Sequence, residues 1–136
     1  MIRHLTCINC PLGCALCVTV DEDTKNILVT GNTCPRGKTY GISEVTDPKR
    51  MVTSTVFVKK GVQNVVSCKT ERPVSKEKIF HVMNALKNTV VEAPVQLGDV
   101  LIEDVADTGI RIVATRNVEK KQGSAGRITD FYSLFY

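Results

Sequence analysis

A chain of 136 residues has room for one ordinary domain or two small ones, which excludes a large multidomain enzyme. Hydrophobic residues make up 43% and charged residues 24%, mean hydropathy is -0.01, and no uninterrupted apolar run nears the roughly 18 residues that cross a bilayer. Neither membrane insertion nor wholesale disorder is expected, and the net charge of +4 is scattered in short pairs such as Lys59-Lys60 and Lys120-Lys121, so no nucleic-acid partner is expected either.

The start, Met1-Ile2-Arg3-His4-Leu5-Thr6-Cys7, has a positive charge but no apolar stretch behind it, so no secretory signal is read and a cytoplasmic location is expected. Five of the six cysteines, Cys7, Cys10, Cys14, Cys17 and Cys34, then follow within a short span. Thiols clustered this way in a reducing compartment point to metal or redox chemistry rather than disulfides.

Leu16, Val18 and Val20 alternate with Cys17 and Thr19, and Asp21-Glu22-Asp23 supplies a turn before Ile27-Leu28-Val29. That pattern predicts a β-hairpin at about 15–30. Gly31 to Gly37 reads as a loop, with Pro35 opening a short helix toward Ser43 and Asp47-Pro48 ending it. Residues 52–58 and 62–70 are rich in β-branched side chains and predict a second hairpin with Lys60-Gly61 at its tip. Pro73-Val74-Ser75 then predicts a helix over about 76–88, N-capped by Ser75, with Ile79, Val82, Met83 and Leu86 as its apolar stripe.

Ala93-Pro94-Val95, the Leu97 to Val100 turn and strand, the Asp107-Thr108-Gly109 turn and a strand at Ile110–Thr115 complete a β-rich body. The expected class is α+β: a small cysteine-rich N-terminal module with β-hairpins (1–45), a β-rich body with one amphipathic helix (46–119), and a linker and aromatic tail without order (120–136). In that tail Phe131, Tyr132, Phe135 and Tyr136 follow a Gly/Ser linker, which makes it either a docking peptide or a frayed end.

Read as ligands, the cysteines run Cys7-x2-Cys10-x3-Cys14-x19-Cys34. Three tightly spaced thiolates let one loop wrap three corners of a cluster, and a distant fourth closes it. Soft thiolates suit iron-sulfur clusters and zinc alike, so ligand type leaves both open. A zinc ribbon usually offers two Cys-x2-Cys knuckles roughly fifteen to twenty residues apart, whereas the far side here offers only Cys34. Strand alternation turns Cys17 away from the face carrying Leu16 and Val18. The expected metal and cofactor ligands are therefore Cys7, Cys10, Cys14 and Cys34, binding a [4Fe-4S] cluster or, alternatively, zinc.

The run Cys7-Ile8-Asn9-Cys10-Pro11-Leu12-Gly13-Cys14, with the later Gly31-Asn32-Thr33-Cys34-Pro35-Arg36-Gly37, resembles the N-terminal [4Fe-4S] segment of molybdopterin oxidoreductases. That resemblance covers about residues 7–37, and it implies cluster binding by the four cysteines, with Arg36 at the basic position two residues past the last ligand. The several hundred residues that hold the pterin and molybdenum in those enzymes have no counterpart here. Over most of 1–120, Asp47 to Val56, Ala93 to Val100 and Gly109 to Arg116 look like a family of small uncharacterised proteins labelled zinc-finger or molybdopterin-oxidoreductase-like. Those proteins accompany flavin-dependent dehydrogenases such as the anaerobic glycerol-3-phosphate type. The resemblance implies an accessory electron-transfer role with a flavin-dependent dehydrogenase as partner; the competing reading is a zinc-stabilised interaction module.

Other residues carry plainer readings. Arg36 either sets a fixed positive charge beside a thiolate cluster or is a solvated side chain after a proline turn. Cys68 reads as a small buried hydrophobe, His4 as an exposed terminal histidine within reach of a zinc role, and His81 as solvent-facing. Glu103, Asp104 and Asp107 surround a turn. No phosphate loop and no Ser-His-Asp pattern occurs, so no hydrolase chemistry has a candidate.

Overall fold

Alternation in the first cysteine-rich stretch becomes a three-stranded antiparallel sheet in the order β1-β2-β3, formed by β1 (Ile2–Thr6), β2 (Ala15–Val20) and β3 (Ile27–Thr30). The structure is a computed structural model and describes residues 1–123. Strands β2 and β3 are the hairpin expected at 15–30, and its turn is closed by Asp21, whose Oδ1 accepts the amides of Asp23 and Thr24 at 2.9 and 3.2 Å. Strand β1 was not anticipated. It is an edge strand with no fully buried side chain, so it lacks the alternation that marks a half-buried strand.

One face of this sheet is apolar. Leu16, Val18 and Val29 are buried with Cys7, and Leu5, Tyr40, Ile42 and Val45 pack against them. The helix α1 (Pro35–Thr46) supplies the last three, starting with Pro35 in its first turn and running three residues beyond the expected Ser43. Its seat on the sheet depends on Gly41, where an added Cβ would stand 3.0 Å from both methyls of Val29. At its C-terminus the Asp47 amide donates to the Ser43 carbonyl at 2.9 Å.

Ser75 does not cap a helix. It lies in β7 (Val74–Ser75), paired with β4 (Lys49–Arg50), and its hydroxyl donates to Asp47 Oδ1 at 2.7 Å. A single 3-10 turn, Lys76–Lys78, separates it from α2 (Ile79–Lys87), so this helix begins three residues later than its sequence pattern suggests. Arg50 forks onto Glu44 of α1, with Nη2 to Oε1 at 2.6 Å and Nη1 to Oε2 at 3.0 Å. These elements form one unit, Met1–Met51 with Pro73–Ile79.

The other unit comprises Val52–Arg72 and the chain from Phe80. Its five-stranded sheet has the order β8-β5-β6-β10-β9, built from β5 (Thr53–Lys59), β6 (Val65–Thr70), β8 (Val90–Glu92), β9 (Val100–Ile102) and β10 (Ile112–Ala114). The expected second hairpin is β5 and β6, with Lys60 at φ 58° in its tip. Val56, Val58, Val66, Cys68, Thr70, Ile112 and Ala114 are buried, while Phe57, Val65 and Val90, direct cross-strand neighbours on the opposite face, are exposed. Strand β8 runs parallel to β5, a pairing that local sequence does not announce. Helix α2 buries Val82 and Leu86 and exposes Phe80, which matches the expected stripe.

The α+β class expected from the sequence is the class observed, with ten strands in three sheets and two α-helices among the described residues. The chain stays tied beyond the expected start of the linker, because Lys120 bridges Gly61 and the Lys121 amide donates to the Lys60 carbonyl at 2.7 Å. The aromatic tail, Phe131 to Tyr136, lies outside the described residues. Among the described residues no helix is long and apolar enough to cross a membrane.

Two outcomes follow from these packing relations. Leu86→Ala should lower stability by roughly 2–5 kcal/mol, and Phe80→Ala should be close to neutral, as read by denaturant titration. For Glu44, the Arg50 guanidinium holds the carboxyl below its ordinary value, so the stabilisation is present above about pH 4.5 and is lost as pH falls through the lowered native value. Glu44→Gln should thus cost about 1 kcal/mol near neutrality, and the gap in melting temperature from the unsubstituted chain should close in acid.

Candidate metal centre

The loop that joins β1 to β2 is the segment carrying the three close cysteines. Its ends are pinned by the Cys7 amide donating to the Cys14 carbonyl at 2.9 Å, the closing bond of the hairpin. Cys7 is 5% exposed and packs into the core with Leu16, Val18 and Val29, whereas Cys10 and Cys14 are half-buried. The tip side chains Ile8 and Leu12 are exposed.

Cys34 arrives from the other side, at the N-terminal boundary of α1, with extended backbone (φ -139°, ψ 164°). Gly31, at φ +85°, makes this approach possible: a side chain there would overlap the Ala15 carbonyl oxygen, which directly follows Cys14. Asn32 donates its side-chain amide to the Cys34 carbonyl at 3.0 Å, and Asn9 donates to the Arg36 carbonyl at 3.2 Å, tying the cysteine loop to the first turn of α1. All four cysteines expected as ligands, and Arg36, therefore belong to one locale in the first unit.

The electrostatics of that locale favour thiolates. The N–H groups of Gly37 and Arg36 and the Arg36 guanidinium hold the Cys34 thiol below its ordinary value, a helix N-terminal arrangement that stabilises negative sulfur. Cys14 is lowered chiefly by the Thr33 hydroxyl, whose Oγ1 is 3.2 Å from Sγ, and next by the Thr33 backbone; the nearby Cys34 opposes the shift. Arg36 is held more firmly in its charged form by Cys34 first, then by Cys10 and Cys7. One guanidinium therefore interacts electrostatically with three of the four cysteines.

Among the described residues no three His, Cys, Asp or Glu side chains already stand together at coordinating distance. The chemistry of the donor set nevertheless fits a thiolate-ligated group: four soft donors from two loops, two of them with depressed thiol values, beside a fixed cation and backbone N–H donors. Cys7, Cys10, Cys14 and Cys34 would hold such a group. The same chemistry is open to iron-sulfur and to zinc.

The remaining candidates lie elsewhere. Cys17 pairs directly with His4 across β1 and β2, on the sheet face opposite Leu16 and Val18, so neither joins the loop cysteines. Cys68 is 1% exposed in β6, and burial pushes its thiol up. His81 is exposed on α2. Glu103 pairs with Arg111 at 3.2 Å and Asp104 Oδ1 accepts the Gly109 amide at 2.7 Å, so these acids serve their turn. Sequence reasoning missed Thr33, Asn9 and Asn32; their polarity at loop positions was visible, but their partners lie across the fold.

No curated protein matches the chain. The solution structure of Clostridium perfringens protein CPE0013 is similar, at 30% identity and a TM-score of 0.50, covering 58% of this chain and 93% of that one. A family match begins at Pro35, one residue past Cys34, and so includes Arg36 but none of the four candidate ligands. Spanning residues 35–116, more than half of the chain, it shows that this protein belongs to the family described as "Protein of unknown function (DUF1667)".

Proposed function

We propose that this protein is an accessory electron-transfer protein that carries a [4Fe-4S] cluster on Cys7, Cys10, Cys14 and Cys34 and serves a flavin-dependent dehydrogenase. The observation that carries this reading is the joining of the Cys7–Cys14 loop to the Cys34 turn, by Asn9 to the Arg36 carbonyl at 3.2 Å and by Cys14 Sγ to the Thr33 hydroxyl at 3.2 Å. When bound, such a cluster supplies a one-electron relay. The four thiolates hold it. Arg36 offsets their negative charge, and the first-turn N–H groups and guanidinium that hold the Cys34 thiol below its ordinary value favour a more reducible centre. Cys7 sits within the apolar core and keeps water from one side, while exposed Ile8 and Leu12 give the other side an apolar rim for a partner.

The partner reading follows from what one small chain can do. These residues carry no flavin, nicotinamide or pterin motif, so an electron passing through the cluster is exchanged with redox groups that this sequence does not hold. A flavoprotein is the donor class that the sequence resemblance implies.

Anaerobic purification or reconstitution should yield a brown protein with near-stoichiometric iron and acid-labile sulfide that bleaches on reduction. A colourless protein holding one tight zinc overturns the cluster and favours the interaction module. Ser at Cys7, Cys10, Cys14 or Cys34 should abolish or destabilise the chromophore, whereas Cys17→Ser and Cys68→Ser should keep it; loss at Cys17 with retention at Cys34 overturns the ligand set. For the partner, native purification should recover a flavin dehydrogenase able to reduce the cluster. Recovery of none, together with no reduction by an added flavin dehydrogenase, overturns the accessory role alone.

A further inference from the structure

Thr33 occupies the position just before Cys34, and two neighbours set its place. On one side Gly31 passes over the Ala15 carbonyl, and on the other the Asn32 side chain holds the Cys34 carbonyl at 3.0 Å. Between these anchors the Thr33 hydroxyl oxygen lies 3.2 Å from Cys14 Sγ. A neutral thiol can give or take a proton in such a pair. A thiolate has none to give, so when Cys14 acts as a ligand the hydroxyl must be the donor.

We infer that Thr33 is a positioning residue of the metal centre: its hydroxyl donates to the Cys14 thiolate, fixes the direction of that ligand and raises the reduction potential of the cluster. This rests on the reading of Cys14 as a cluster ligand. A hydrogen bond to a ligand sulfur withdraws electron density and stabilises the reduced state, which carries one more negative charge. The bond also bridges the two loops, since Thr33 comes from the Cys34 side and Cys14 from the hairpin side. Loss of the hydroxyl is therefore felt at the ligand rather than in the core, because Thr33 itself is exposed.

The experiment uses the full chain, reconstituted anaerobically, as the unsubstituted protein and as Thr33→Val, Thr33→Ala and Thr33→Ser. Each is titrated with dithionite in the presence of redox mediators, and the iron–sulfur stretching bands are recorded by resonance Raman. The Val and Ala variants should shift to more negative potential with stretching bands moved to higher frequency, and the Ser variant should match the unsubstituted protein. Loss of the cluster in Val and Ala with retention in Ser supports the same assignment through ligand orientation. Equal potentials in all four proteins overturn it, as does a Ser variant that behaves like Val, whether by its potential or by losing the cluster. Failure of the unsubstituted chain to assemble any cluster overturns the proposed function instead, so the two failures are distinguishable.

Discussion

Everything at the candidate centre depends on one close backbone contact, that of Gly31 with the carbonyl of Ala15. Ala15 is the first residue of β2 and follows Cys14, so the contact lays the Asn32-Thr33-Cys34 turn beside the end of the cysteine loop. Only a residue without Cβ fits there, for both steric and conformational reasons. The same economy of side chains continues into α1, where Gly37 approaches Asn32 and Leu16, and Gly41 rests on Val29 and Val18. Larger residues would lift the helix and carry its first turn, with Arg36, away from the cysteines.

That geometry makes the centre asymmetric. Cys7 belongs to the apolar cluster under α1, whereas Cys34 faces N–H donors and a guanidinium. Metal binding requires deprotonated sulfur, and the cost of deprotonation falls where donors and a cation already surround the thiol. The buried side supplies rigidity, and the donor-rich side supplies charge compensation. Asn9 couples the two by reaching from the cysteine loop to the Arg36 carbonyl, a bond that positions backbone without using either cysteine.

The second unit has a different character. Its sheet buries Val56, Val66, Ile112 and Ala114 on one face, and Thr70 satisfies its own burial by accepting the Val52 amide at 3.1 Å. Cys68 is part of that interior, where burial keeps its thiol protonated. The family match spans all five strands of this sheet and helix α1 but stops short of the four cysteines, so membership describes the body and not the N-terminal cysteine loop.

By itself the sequence determined the elements whose signals are local: the β2–β3 and β5–β6 hairpins, the Val82 and Leu86 face of α2, and the alternation that sends Cys17 away from Leu16 and Val18. Period and turn chemistry are properties of a few consecutive residues, so they can be read without the fold. Tertiary structure alone decided that Ile2–Thr6 is a strand, that β8 lies parallel to β5, and that Ser75 bonds Asp47 instead of capping a helix. It also decided that residues 73–79 join the first unit. At the centre, the spacing of Cys7, Cys10, Cys14 and Cys34 was legible, but the roles of Thr33, Asn9 and Asn32 were not. Each of those depends on a partner brought close by the fold, and a short polar side chain in a loop carries no local record of which distant atom it will meet.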